Sequence, residues 1–187
     1  MSGLLIAIII IVLLVGIALF AMSQFNKLRR LDVLAQGAWA GIDTLLAKRA
    51  DLIPNLVETV KGAADFERGT MEDVTNARAK AAGATTVAQT AAADGELTQA
   101  LGRLFAVAEA YPQLTATANF RDLQGQLTSV EGELQFARQY YNDSVVNLNT
   151  ALVTIPAMWF AGLAGVHERE MYSEPDAGRR SAPTVSF

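Results

Sequence analysis

The chain has 187 residues, no cysteine, one histidine and a formal net charge of -4. The absence of thiols excludes disulfides, thiolate metal sites and cysteine nucleophiles. An acidic balance with no clustered Lys/Arg face offers no electrostatic footprint for nucleic acid.

The chain opens on an uncharged apolar run, LLIAIIIIVLLVGIALFAM, from Leu4 to Met22. As a helix of about 19 residues it spans roughly 28 Å, close to the hydrocarbon thickness of a bilayer. Only Met-Ser-Gly precedes it, and its exit, Ala18 to Met22, makes a poor signal-peptide cleavage site. The run therefore reads as an uncleaved single-pass anchor. Lys27, Arg29 and Arg30 flank its C-terminal side alone, so the positive-inside tendency places the following domain in the cytoplasm.

Leu28, Leu31, Ala35, Ala38, Ile42 and Leu45 then step by threes and fours, which predicts a helix running on from the anchor without a linker. A second stripe, Ile53, Val57, Val60, Ala64, Met71 and Val74, predicts a helix from Leu52 to Lys80. With Asp51 as its N-cap, Pro54 falls in a first turn, where its missing N–H has no intrahelical partner. Whether the chain kinks or reverses there stays open.

Ala81 to Glu96, small and polar without an apolar period, reads as a mobile connection. Leu97, Leu101, Leu104 and Ala108 carry a shorter helix that Tyr111-Pro112 ends. The longest stripe runs from Phe120 through Leu127, Leu134, Tyr141 and Leu148 to Ile155, and Pro156 stops it. Strand-like alternation is absent, so the fold class is all-α: an N-terminal transmembrane helix continuing into an antiparallel three- or four-helix bundle.

Ala157 to Val166, AMWFAGLAGV, is apolar nearly all round and too short to span a bilayer. Its Met158, Trp159, Phe160 and Leu163 are expected to meet another subunit or the membrane. The polar tail from Ser173 reads as disordered. The organisation is thus an anchor over 1–24, a bundle over 25–156, a contact segment over 157–172 and a tail over 173–187.

No catalytic, cofactor or metal site assembles from these residues. The lone His167 lies in H-E-R-E without a second His or Cys, and there is neither a glycine-rich phosphate loop nor a G-x-S-x-G elbow. Glu131 and Arg138, seven apart, share one helix face, and Arg49 with Asp51 is placed to meet them across the bundle. A paired polar layer that sets helix register is expected there, because unpaired buried charge costs several kcal/mol. Gly37 and Gly41 form G-x-x-x-G just past the anchor. The expected role is to admit a neighbouring helix of the bundle, with helix pairing near the membrane surface as the other reading.

The stretch KRADLIPNLVETVKG, from Lys48 to Gly62, with Trp39 and Asp43 before it, closely resembles the signature of the LemA family of bacterial membrane proteins. So do AVAEAYP with Glu109, Tyr111 and Pro112, the pair Asn119-Phe120, and the late pattern with Glu131, Arg138, Tyr141 and Asn142. The resemblance runs from the anchor to about Gly165, and Arg49, Asp51, Pro54 and Asn55 lie in its most specific part. Gly132 and Phe136 depart from it, standing where the family tends to have a polar and a small residue.

The resemblance implies a helical bundle behind one membrane anchor, in a family without an established enzymatic activity. Relatives of this kind resemble scaffold-type membrane proteins, some linked to a membrane metalloprotease and one, among magnetosome proteins, tied to membrane shape. The expected function is a non-enzymatic scaffold that self-assembles into a ring or cage on the bacterial plasma (inner) membrane. Its partners are lipid, further copies of itself and a membrane protease, with no cofactor and no nucleic acid. An adaptor or regulator of a membrane protease or signalling partner is the alternative.

Overall fold

The computed structural model describes residues 2–62 and 68–173. Among them every regular element is helical: α1 (Ser2–Lys61), α2 (Arg68–Gly83), α3 (Val87–Ala108), the single turn α4 (Pro112–Thr115), α5 (Ala118–Val153), a 3-10 turn (Ala157–Phe160) and α6 (Ala161–Ala164). The all-α class expected from the periodicity is what the structure has. The expected disordered tail from Ser173 falls, beyond Ser173 itself, outside the described residues.

Two local expectations are overturned. Asp51 caps nothing, because α1 runs unbroken for 60 residues with Pro54 inside it. Neither a reversal nor a new helix start occurs there. The expected mobile connection at 81–96 is mostly helix: α2 continues to Gly83 and α3 begins at Val87. Thr86 caps α3, its hydroxyl accepting the Gln89 N–H at 3.2 Å, which satisfies one of the orphan donors of a helix start. The terminator at Tyr111-Pro112 acts as expected, and α5 keeps its ten turns up to the residues before Pro156.

The chain divides into two compact units, Met1–Trp39 with Tyr140–Arg169, and Ala40–Gln139 with Glu170–Phe187. In the first unit the chain antiparallels itself. The Trp39 ring meets Tyr141 with centroids 5.3 Å apart, and Phe20 meets Phe160 at 6.5 Å, so descending α1 follows ascending residue numbers on the other side. Leu28, Ala35, Tyr141, Val145 and Leu148 fill the interface. The large side chains of the apolar run up to Met22 all stay exposed, and α1 is the one described helix that is by itself long and apolar enough to cross a membrane.

In the second unit four helices surround one core. Ile53, Leu56 and Val60 of α1, Val74 of α2, Leu97, Leu101 and Leu104 of α3, and Phe120, Leu123 and Leu127 of α5 are all buried in it. The pairs Lys80–Glu96 (2.6 Å) and Asp73–Arg103 (3.5 Å) show α2 and α3 running antiparallel.

Candidate functional site

The most unusual residues of the second unit are its buried charges. Asp94, on the third turn of α3, is 1% exposed, and Arg49 of α1 is 3% exposed. Arg49 Nη1 donates to Asp94 Oδ1 at 2.6 Å, while the other carboxylate oxygen accepts from Arg138 Nη2 of α5 and from the Tyr172 hydroxyl at 2.7 Å. Glu131, two turns before Arg138, closes the group, 3.0 Å from Arg49 and 3.2 Å from Arg138. Thr98 Oγ1 accepts from Arg49 Nη2 at 3.0 Å and donates to the Asp94 carbonyl at 2.9 Å. The Arg138 guanidinium also sits 5.3 Å from the centre of the Tyr172 ring, within the range of a cation–π contact.

Two positive and two negative groups thus neutralise one another, and three helices with the C-terminal segment are tied at one level. A burial of this kind gains little net stability, but removing any one member strands a charge in a poorly solvated interior. Each charge is held by a partner of opposite sign, and among the described residues no group of three or more His, Cys, Asp or Glu is placed to hold a metal ion.

A second arrangement explains Pro54. A proline inside a helix removes the N–H owed to the carbonyl four residues earlier, here that of Ala50. Arg78 of α2 supplies the missing donor, its Nε lying 2.8 Å from the Ala50 oxygen. A cleft of about 370 Å³ opens beside this contact, lined by Asp43, Asp51, Arg78 and several alanines, with Arg78 already committed to the backbone.

The first unit has a polar clamp of its own. Asn149 donates to the Arg169 carbonyl at 2.9 Å and accepts the Arg169 N–H at 3.0 Å. The Arg169 guanidinium sends Nε and Nη2 to Asp32 Oδ1 at 2.9 and 2.8 Å.

Residues 38–187, four fifths of the sequence and all of the polar layer, match the LemA family. This chain belongs to the LemA family. Over 86 residues, 46% of the chain, it is 30% identical to the magnetosome protein MamQ of Magnetospirillum gryphiswaldense, and equally to MamQ 1 and MamQ 2 of Paramagnetospirillum magneticum. The match covers 32% of the length of those proteins. The family description and these names assign no enzymatic activity. With one helix suited to crossing a bilayer, they support a membrane-associated protein.

The LemA-type residues divide between core and surface. Arg49, Glu131 and Arg138 meet, but Asp51 does not join them: it is exposed, and Asp94 is the carboxylate that answers Arg49. Trp39 and Tyr141 meet in the first unit with their ring planes tilted by 57°, and Asn142, next in sequence, is half-buried. Phe120 is buried against Phe105 at 6.0 Å, Tyr111 is half-buried, and Pro112 opens α4. Asp43, Asn55, Glu109 and Asn119 are exposed. Among the described residues Gly37 and Gly41 admit no neighbouring helix: a Cβ at either would meet nothing within 4 Å.

Asp94 and Tyr172 were not among the expected site residues. Asp94-Gly95 within a run of Ala and Thr looks like a turn, yet Thr86-Val87-Ala88-Gln89 has the T-x-x-Q form of a capping box, which marks the helix that carries Asp94. Nothing local to Tyr172 signals its role.

Proposed function

We propose that this chain is a non-enzymatic, membrane-anchored scaffold that self-assembles into a homo-oligomer, a ring or cage, on the bacterial plasma membrane, with its C-terminal domain in the cytoplasm. One observation carries the reading: the charged motif residues at the centre of the second unit are spent on one another, while large apolar side chains stay on the surface outside the anchor. Phe136 of α5 is 77% exposed, and Val33 and Leu34 are exposed beside Gly37 on α1. Apolar surface left uncovered on a single copy is the usual mark of an interaction face. Its recurrence along helices suits the side-by-side packing of repeated copies.

Electron microscopy of the full-length protein, purified alone in mild detergent, tests this directly. Closed multimeric particles are expected. Small particles holding one or two copies would overturn self-assembly and leave the same faces to a membrane protease or another partner, as in an adaptor.

A further inference from the structure

The turn after α5 has a surface of its own. From Ser144 to Val166 the chain contains no Asp, Glu, Lys or Arg. Within this span α5 and the helical stretch Ala157–Ala164 meet at 87°, so the chain leaves the line of α5 almost at a right angle. Ala157, Ala164 and Val166 are buried and fasten the turn to the first unit. Gly165 closes it in the left-handed region at φ 61°, with the Val166 N–H returning to the Ala161 carbonyl at 3.3 Å, a Schellman closure. Held this way, the turn keeps Phe160 half-buried but leaves Trp159 66% and Leu163 78% exposed, with Met158 and Ile155 exposed near them.

The height of this apex along α1 is given by Phe160, whose ring packs edge-on against Phe20. Phe20 lies inside the apolar run and seven residues before Lys27, the first basic residue after it. At 1.5 Å per residue the apex therefore sits about 10 Å to the membrane side of Lys27.

We propose that the turn from Met158 to Leu163 inserts into the acyl–headgroup boundary of the bilayer that α1 crosses, as a second, interfacial anchor. The proposal rests on the membrane-anchored reading of α1. With α1 in a bilayer, groups level with Phe20 face lipid, and an uncharged segment carrying Trp, Leu and Met suits that depth. Tryptophan settles at the boundary because its ring is apolar and its N–H polar, and short apolar segments bind there in proportion to the surface they bury.

The full-length Trp39→Phe protein keeps Trp159 as its one tryptophan and retains a ring against Tyr141. It is reconstituted at high lipid-to-protein ratio into phosphatidylcholine–phosphatidylglycerol vesicles, with lipids brominated either near the carbonyl end or near the methyl end of the chain. Blue-shifted emission that loses roughly half its intensity to the shallow bromines, and less to the deep ones, is expected. A second protein, Leu13→Trp with both native tryptophans changed to Phe, reports on α1 and is expected to respond most to the deep bromines. If it is quenched while Trp159 emits in the red and unquenched, the insertion is wrong and the anchor stands. Blue-shifted but unquenched Trp159 overturns insertion in favour of cover by a second copy. Should neither probe be quenched, the anchored reading and the insertion fall together.

Discussion

Replacing Asp94 by alanine would leave the Arg49 and Arg138 guanidinium groups and the Tyr172 hydroxyl without their shared acceptor. Loss of one member of a buried ion pair costs about 3–5 kcal/mol, so Asp94→Ala is expected to lower the thermal midpoint of the full-length protein in detergent markedly. Asp51→Ala, at an exposed position of the same signature region as Arg49, should stay within about 0.5 kcal/mol of the parent. Equal shifts for the two would refute the burial of Asp94 against the exposure of Asp51. A second test concerns Pro54. Arg78→Met strands the Ala50 carbonyl and is expected to cost about 1–3 kcal/mol. Adding Pro54→Ala restores a backbone donor to that carbonyl and should recover most of the loss. Purely additive effects in this cycle would mean that Arg78 does not compensate for the proline. Spacing along the sequence puts only Glu131 and Arg138 on one charged face, whereas the pairing of Pro54 with a side chain 24 positions later is invisible to any local pattern.

At the scale of elements, the long stripes are legible and the short or small-residue ones are not. In α5, Leu, Val and Tyr recur every third or fourth position over ten turns, so its face and its end at Pro156 can be read directly. Alanines dominate the first half of α3, and their low apolar contrast hides the period even though alanine is the best helix former. The segment after α6 is held by contacts instead of by a pattern of its own. Asn149 brackets the Arg169 peptide group from both sides, and Arg169 reaches Asp32 with two nitrogens. Asn149→Ala should therefore speed amide exchange of residues 166–169 in hydrogen-exchange mass spectrometry, with little change in the middle of α5. Unchanged exchange would show that the Asp32 contact alone suffices.

For the whole molecule, the exposed Phe136 separates folding from assembly. Phe136→Ser removes an apolar group that is 77% exposed, so the unfolding midpoint should move little. If α5 packs against another copy there, the same change should shift light scattering in mild detergent toward smaller particles. Undiminished particles would place the contact elsewhere on the surface. What the sequence determined by itself is what a strong local pattern carries: the helical class, the apolar run of α1, the stops before Pro112 and Pro156 and the membership signature, since helix period and span length act within a few turns. Only the tertiary structure decided that α1 passes through Pro54 unbroken, that Asp94 and not Asp51 answers Arg49, and that Phe160 lies level with Phe20. Each of these depends on a group supplied by another helix, and no spacing along the chain encodes which distant residue will satisfy a buried charge or an orphaned carbonyl.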